Sequence, residues 1–555
     1  MNNNVQKRTQ SFFREALVIS ISNFAVKIIG VLFKIPLTNI LEEAMGAFTA
    51  AYSIYAMLYM ISTAGLPVAI SKMVAEASGK GRKQETKRIF FLSTVIFGLI
   101  GLIASMFMFF FAESIAIFSD HKNAVLAMKV ISPTLFLVCI TSAIRGYFQG
   151  LRYMVPTAVS QFIEAFLKMV LGVGGAMFAS SKGYSGEVQA AFAIVGLTVG
   201  VFFGTIYLIL IKCFSKKQNI TELDTECDGY PTLAKRIALI AGPVTLTSSA
   251  LYLSSFMDTL VINKMLIASG FSEKMADKLF SAYTSYSISI SELFPSTFVY
   301  PIAVSILPFV AKALSEKKNK EAERNMINSI RLSGLIALPC AAVLCALARP
   351  CIELIYGTSY GYEVVMLDGT VKSPLDIAAP ALSILGIGVF FISMVSTTNS
   401  LLQACGKTML PVVSVLSGVV LLVLCEITLV KNPFVGIYGA PISSVLCYIT
   451  AFGLNFLFLK KKVGLELNLV KLFGKNFVSA VLSGASSFGV YKLISGWVGK
   501  ETRLNCLECL VPAGIVAVIV YAVTTIIFKG ATEEEIELLP MGRTLASFLK
   551  RKNLL

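Results

Sequence analysis

Charged residues are scarce in this chain, and their scarcity excludes most soluble folds. Only 14% of the 555 residues are charged, 56% are hydrophobic and the mean hydropathy is +0.77. A soluble protein of this length carries about 25% charged residues. Because so little polar surface cannot cover the chain in water, the recurring apolar runs predict a polytopic all-α membrane protein. A solvated multidomain enzyme is excluded.

Histidine is almost absent as well, since His121 in a short polar loop is the only one. One imidazole cannot build a histidine-based metal centre or a catalytic triad. Most of the eleven cysteines stand singly in apolar segments and are interpreted as small core residues. Cys506 and Cys509 have CxxC spacing, which here favours packing over metal or redox chemistry because no second pair accompanies it. We therefore expect no enzyme and no cofactor.

Apolar runs predict fourteen transmembrane helices. By number, roughly, they cover 15–40, 45–72, 88–112, 124–150, 156–179, 187–212, 236–266, 279–312, 330–349, 377–404, 409–430, 436–460, 473–497 and 506–528. The polar, basic N-terminus leads into a long apolar run without a small-residue cleavage site, so no cleaved signal peptide is expected.

Basic residues are concentrated in alternate loops, and this accounts for most of the net charge of +16. Examples are the loops Lys80–Arg88, Lys212–Arg236 and Lys312–Arg331. The positive-inside rule places both termini in the cytoplasm, which agrees with an even number of spans. The loop charges then predict contacts with anionic lipids, and no nucleic-acid partner is required.

A repeated string organises the chain. Tyr52–Ser71 and Tyr286–Ser305 match without gaps at eight of twenty positions, including Pro67 with Pro301. The two copies fall in the second and eighth predicted helices, so the period is six helices and the copies keep one orientation. We predict two six-helix lobes, 1–214 and 236–462, joined by a cytoplasmic linker at 215–235, with a helix pair and a cytoplasmic tail at 463–555. A cargo cleft between the lobes is expected.

Ionisable residues inside the first lobe are candidates for cargo binding. A charge in mid-membrane costs at least about 2.5–3.5 kcal/mol on insertion scales, which marks such residues as functional. Lys27 and Lys34 are seven residues apart and share one helical face. Lys34 also has an alternative role, in which its side chain extends to the membrane interface.

The fifth predicted helix carries a second set. Gln161, Glu164 and Lys168 share one face, and Glu164 and Lys168 have the spacing of a salt bridge. The pair either shapes the cargo site or is a self-neutralising structural contact. Arg145, at the cytoplasmic end of the fourth helix, either receives a phosphate or lies at the interface.

Acidic and amide residues in the second predicted lobe suggest ion coupling. Asp258 and Asn263 lie in the seventh helix, and Glu292 replaces Leu58 within the repeat. They are candidates for binding a coupling Na⁺ or H⁺, and a helix-stabilising hydrogen bond is the alternative.

RGYFQG (Arg145–Gly150) followed by Pro156–Glu164, together with Ser62–Glu76, resembles the stage V sporulation protein B and polysaccharide-transporter branch of the multidrug/oligosaccharidyl-lipid/polysaccharide exporter superfamily. The resemblance covers nearly the whole chain. It implies two six-helix lobes with an optional helix pair, and movement of undecaprenyl-pyrophosphate-linked glycans to the outer leaflet. In spore-forming bacteria, this branch is associated with peptidoglycan precursors for the spore cortex.

Related lipid II flippases in the superfamily carry an R-x-x-G pattern in their first helix. The run from Lys27 to Gly30 is similar to it, with lysine in place of arginine. Those flippases have further arginines in helices two and eight, where this chain has Tyr59 and Glu292 instead. The resemblance therefore implies that the contacts with a pyrophosphate differ here.

Transport of a polyprenyl-pyrophosphate-linked glycan by alternating access is the function we expect, with cell-wall synthesis proteins as further partners. One alternative is a multidrug antiporter exchanging organic cations, which needs an acidic, aromatic-lined site. A membrane scaffold without transport activity is a third class. Dye efflux and lipid-linked glycan translocation distinguish the three.

Overall fold

The computed structural model describes residues 25–531, apart from short gaps. The gaps are 27–28, 31, 64, 152, 215–227, 301, 304–305, 307–309, 311–312, 315–317, 358–361 and 499–502. Lys27 and the predicted linker core at 215–227 therefore lie outside the described residues.

The described residues are overwhelmingly helical, and the predicted all-α membrane fold is confirmed. Eleven of the described helices are long and apolar enough to cross a membrane, and each coincides with one of the fourteen predicted spans. The other three predictions fall on the partly described first span, on the long but less apolar helix Tyr230–Ala268, and on the region around 279–312, where several residues are outside the description.

Two compact units make up the chain, Met1–Asn263 (unit 1) and Lys264–Leu555 (unit 2). The boundary lies inside one long helix. The helices of unit 1 are α1 Leu32–Leu41, α2 Met45–Thr63, α3 Leu66–Gly79, α4 Lys83–Phe110, α5 Ala112–Phe118, α6 Val125–Gly150, α7 Val155–Ser181, α8 Gly186–Phe214 and α9 Tyr230–Ala268, the last of which continues into unit 2. The predicted lobe boundaries stay predictions.

A buried apolar cluster holds α3, α4, α6 and α9 together in unit 1. Ile70, Phe97, Cys139 and Ile237 are among its members. Gly65, just before α3, allows close contact with α9, because a side chain there would collide with the carbonyl of Ala241. This packing fixes the first copy of the repeat against its neighbours.

The described residues of unit 2 form nine further α-helices, besides shorter helical turns, and a two-stranded hairpin. They are α10 Glu273–Ser281, α11 Ser289–Phe294, α12 Asn319–Ala346, α13 Ala348–Tyr356, β1 Val364–Val365, β2 Val371–Lys372, α14 Pro374–Ala404, α15 Met409–Leu429, α16 Gly439–Phe458, α17 Leu469–Val498 and α18 Arg503–Ile527. Tyr286, Leu344, Ile352 and Leu382 belong to a buried cluster that joins α12, α13 and α14 to the second copy of the repeat.

The C-terminal pair α17 and α18 packs on α12 and α13 of unit 2. Tyr521 donates its hydroxyl to the Leu335 carbonyl at 2.8 Å, and Arg503 donates to the Tyr356 carbonyl at 2.7 Å. Cys506 and Cys509 are buried within this contact. Their CxxC spacing therefore places two thiols in a packed helix interface, as the packing interpretation expects.

Both copies of the repeat depart from regular α-helix at the same place. In the first copy α2 ends at Thr63 and α3 begins at Leu66. In the second copy, the aligned positions form the π-helical segment Pro295–Val299. A second π-helical segment, Ala282–Ile288, precedes α11, and the Ser285 carbonyl within it accepts the Ser289 hydroxyl at 2.7 Å. Such widened turns release backbone carbonyls and commonly occur at functional sites.

Candidate functional site

Arg145 and Glu164 form an ion pair between two membrane-spanning helices of unit 1. The Arg145 Nη2 atom donates to Glu164 Oε2 at 2.9 Å, and its Nε atom donates to Ser160 Oγ at 3.0 Å. Ser160 in turn donates to the Thr157 carbonyl at 2.8 Å. The guanidinium is largely buried and the carboxylate is half-buried. Arg145 is therefore turned toward α7 rather than extended to the membrane surface.

Lys168 is the middle residue of α7 and lies over two aromatic rings. Its Nζ atom is 4.8 Å from the centroid of the Phe33 ring and 5.3 Å from that of Tyr52. An ammonium over ring faces gains about 0.5–2 kcal/mol by cation–π attraction, more when it is removed from water. Among the described residues no carboxylate lies within ion-pair distance of it. The ammonium thus keeps hydrogen-bond donors for a ligand.

The salt bridge expected between Glu164 and Lys168 does not form. Their spacing of four residues would allow the contact. In the structure, however, the Glu164 carboxylate pairs with Arg145 on α6, and the Lys168 ammonium lies over the aromatic rings. The self-neutralising interpretation is wrong for this pair. Two cations therefore accompany one carboxylate, which pairs with Arg145 rather than with Lys168, so Arg145, Glu164 and Lys168 together carry one net positive charge.

An aromatic row on α2 lies beside these charges. Phe48 and Tyr52 stack with centroids 6.1 Å apart, and Tyr55 follows at 5.8 Å from Tyr52. Tyr59 continues the row 5.9 Å further on and is close enough to Glu164 and Arg145 to interact with them electrostatically. Tyr52 is 36% exposed, so the row presents accessible ring surface next to the cations.

Glycines on α8 position the charged face of α7. Gly196, Gly200 and Gly204 are spaced by four residues, and a Cβ at Gly200 would stand 2.7 Å from the Glu164 carbonyl oxygen. Close backbone contact of this kind is typical of small residues at this spacing in membrane helices. The G-x-x-x-G-x-x-x-G signal was present in the sequence and could have predicted that α8 supports this site.

The remaining cargo-site candidates of the first predicted lobe are Lys27, Lys34 and Gln161. Lys34 is half-buried and follows Phe33, whose ring contacts Lys168. Gln161 is half-buried, and its Oε1 atom is buried without a hydrogen-bond partner among the described residues. Lys27 lies outside the described residues. The structure therefore brings together Arg145, Glu164 and Lys168, a cluster that we call the cation site.

The candidate coupling residues fall in both units. In unit 1 Asp258 and Asn263 are buried, and the Asn263 amide contacts His121 Nδ1 at 3.1 Å and donates to the Asp120 carbonyl at 3.2 Å. Asn263 therefore ties α9 to the loop before α6. In unit 2 Glu292 is exposed on the short α11 between two π-helical segments. Their role in ion coupling stays a prediction.

Two family models match the chain. A model described as polysaccharide biosynthesis protein matches residues 12–313, which is more than half of the chain, and the MatE model matches residues 243–427.

Relatives and solved structures agree with these matches. Stage V sporulation protein B of Bacillus subtilis (strain 168) is 25% identical over 97% of this chain and 99% of its own length. The lipid II flippase MurJ of the same organism is 22% identical over 88% of this chain and 89% of its own length. A structure of lipid II flippase MurJ in an inward closed conformation has a TM-score of 0.65 at 16% identity, covering 92% of this chain and 98% of that one, which shows a common fold.

Proposed function

We propose that this chain, which belongs to the polysaccharide biosynthesis protein family, is a flippase for an undecaprenyl-pyrophosphate-linked saccharide. The chain is a multi-pass membrane protein, and its relatives support a transporter rather than an enzyme. We assign it to the bacterial cytoplasmic membrane with both termini in the cytoplasm. The cargo resembles lipid II, and the similarity to stage V sporulation protein B supports a precursor of the spore cortex.

The observation that carries this proposal is the excess of positive charge in the middle of unit 1. Lys168 has no carboxylate partner within ion-pair distance among the described residues, and it sits halfway along a 27-residue spanning helix. A pyrophosphate brings negative charge and strong acceptors, so ammonium and guanidinium groups in a low-dielectric setting attract it strongly. We propose that Lys168, Arg145, Gln161 and Lys34 bind this group, joined by Lys27.

Glu164 sets the strength of that attraction. Its Oε2 atom accepts a hydrogen bond from Arg145 Nη2 at 2.9 Å, and its negative charge offsets one of the two positive charges. A cargo phosphate approaching Arg145 would therefore compete with Glu164, which favours moderate affinity. Moderate affinity is what alternating access requires, because the cargo must leave the site on the opposite side of the membrane.

Movement of a charged headgroup also needs a driving force. We propose that Na⁺ or H⁺ binding at Asp258, Asn263 and Glu292 supplies it. The basic loops would contact anionic lipids, and cell-wall synthesis proteins would receive the delivered precursor.

A translocation assay in vesicles tests this function. The purified protein is reconstituted with a fluorescent lipid-linked glycan, and the accessibility of the headgroup to an external quencher is followed. Lys168→Ala should lower the initial rate at least about ten-fold, equivalent to about 1.4 kcal/mol of lost interaction. Lys168→Arg should keep most of the rate, because it keeps the charge.

Lys182→Ala is the matched control, because Lys182 is exposed just beyond the end of the same helix. Its rate should equal that of the wild type. A wild-type rate for Lys168→Ala would overturn the assigned role of Lys168, and no translocation by the wild-type protein would overturn the function.

An organic-cation antiporter is the second candidate, favoured by the MatE match and by the accessible tyrosine row of α2. Aromatic faces attract organic cations. The net positive charge of the cation site disfavours them. Efflux of a cationic dye by the wild type, without glycan translocation, would favour this candidate.

A further inference from the structure

An apolar groove of about 990 Å³ opens on unit 2, and none of the residues assigned to cargo binding lines it. It is bordered by α12, α14, α16 and the C-terminal helix α17. All nineteen lining residues lack a charged or hydroxyl-bearing side chain, and Phe390, Phe473 and Phe488 are among them. Its volume lies at the upper end of the range of small-molecule sites, about 300–1,000 Å³.

The length of the groove matches the thickness of the hydrocarbon core of a bilayer. Along α17 its lining extends from Leu469 to Phe488, which corresponds to about 28 Å at about 1.5 Å per residue. This is close to the hydrocarbon thickness of a bilayer, about 30 Å. All four bordering helices are long and apolar enough to span a membrane. The groove therefore lies at the depth of the acyl chains.

One end of the groove continues into a charged pocket of about 600 Å³. Ala346 and Phe488 line both cavities. The pocket is built from the end of α12, the start of α13 and the first three turns of α14, with Phe488 and Tyr491 of α17 on one side. Because these are the ends of membrane-spanning helices, the pocket lies at the level where lipid headgroups are found.

The pocket holds one guanidinium and two carboxylates. Arg349 Nε donates to Glu353 Oε1 at 3.0 Å, and Arg349 Nη1 donates to Asp376 Oδ1 at 3.0 Å. Glu353 is only 8% exposed, yet its Oε2 atom has no hydrogen-bond partner among the described residues. The arginine is more than half exposed, so its second terminal nitrogen is accessible. The Tyr491 ring closes the apolar side.

These charges complement a zwitterion. The two carboxylates outnumber the guanidinium, so the pocket attracts an ammonium group at Glu353 and Asp376. The exposed edge of Arg349 can accept a neighbouring phosphate oxygen. A polyprenyl pyrophosphate would place several negative charges beside two carboxylates, which is unfavourable.

We propose that the groove and the charged pocket together form a binding site for a phospholipid with an ethanolamine headgroup. The acyl chains occupy the groove, the ammonium contacts Glu353 and Asp376, and the phosphate contacts Arg349. This site shares no residue with the proposed cargo site, and it uses the C-terminal helix α17 as one wall.

Photocrosslinking of the full-length protein tests the site. The protein is reconstituted in phosphatidylcholine vesicles containing a trace of phosphatidylethanolamine with a diazirine in one acyl chain. After illumination, labelled peptides are identified by mass spectrometry. We expect labelling on α17, suppressed by unlabelled phosphatidylethanolamine at about ten-fold lower concentration than by added phosphatidylglycerol.

Two neighbouring residues of α17 provide a matched pair for the groove. Val481 lines the groove and Leu482 does not, and both are exposed, at 51% and 43%. Val481→Trp should reduce labelling at least about five-fold, because the indole fills the groove, and Leu482→Trp should leave it unchanged. Equal labelling in both variants would overturn the groove as the acyl site.

Glu353→Gln tests the headgroup pocket, with Glu363→Gln as control, because Glu363 is exposed and outside the pocket. Glu353→Gln should abolish the ten-fold preference for phosphatidylethanolamine while labelling by the acyl chains persists. If this variant fails to fold, the competition in the wild-type protein decides the matter. Equal competition by both phospholipids, or stronger competition by undecaprenyl pyrophosphate, would overturn the proposal. The assay requires no transport, so its result is independent of the proposed flippase activity.

Discussion

Units 1 and 2 share a repeated helix but differ in the charges that they place among their membrane helices. In unit 1 two cations and one carboxylate meet between α6 and α7, beside a row of tyrosines. In unit 2 the repeat exposes a carboxylate, Glu292, and the C-terminal helix α17 borders an apolar groove. We therefore assign anion recognition to unit 1 and lipid contact to unit 2, while the proposed coupling residues lie in both units, Asp258 and Asn263 in unit 1 and Glu292 in unit 2.

Removing Arg145 should have the largest effect on this comparison. Arg145→Ala leaves Glu164 half-buried without its ion-pair partner and removes one of the two cations. Breaking a buried pair costs about 3–5 kcal/mol, so glycan translocation should fall at least about 100-fold and the melting temperature should drop.

A double variant separates stability from transport. Arg145→Ala with Glu164→Ala removes the stranded carboxylate, so the melting temperature should recover while translocation stays low. Recovery of translocation in the double variant would show that unit 1 does not recognise the anion through Arg145.

Glu292→Gln should have an intermediate effect. The substitution removes the exposed carboxylate of the repeat, and translocation should fall about ten-fold and lose its dependence on a Na⁺ or pH gradient. Binding of the lipid-linked glycan should be unchanged. Glu466→Gln, at an exposed position before α17, is the control. Weakened glycan binding with an intact gradient dependence would instead place recognition in unit 2 as well.

Glycine substitutions should give the smallest and most selective effect. A Cβ at Gly200 would stand 2.7 Å from the Glu164 carbonyl oxygen, and a Cβ at Gly418 of unit 2 would stand 2.6 Å from the Cys447 carbonyl oxygen. Both Gly200→Ala and Gly418→Ala should destabilise the protein by about 1–3 kcal/mol, measured as a lower melting temperature.

Only Gly200→Ala should also weaken glycan binding, because only Gly200 supports the charged face of α7. Equal loss of binding in Gly418→Ala would show that the effect reflects general helix packing. Gly174→Ala, where a Cβ meets open space, should leave both stability and binding close to the wild-type values.

The fold was predictable from the sequence to the extent that it depends on apolar length. Runs of about twenty apolar residues leave a helix few alternatives in a membrane, since every backbone group must be paired internally. Eleven predicted spans therefore reappear as helices. The span around 279–312 was less predictable, because π-helical turns such as Pro295–Val299 have no simple sequence signature.

The site was predictable as a set of residues but not as a set of contacts. Helical periodicity placed Glu164 and Lys168 on one face, and local spacing suggested that they pair. The true partner of Glu164 is Arg145, nineteen positions away in sequence, and the rings under Lys168 come from two other helices. Helical periodicity shows which residues share a face of one helix. It does not predict which residues of other helices contact that face.

The shared irregularity of the repeat shows how such a span can be built. The first copy is interrupted at Gly65, whereas the second widens into a π-turn that begins at Pro295 and has Val299 at the position of Gly65. The two copies therefore share the location of the irregularity but not the residues that stand there. More than one local sequence can interrupt a membrane-spanning helix at this point.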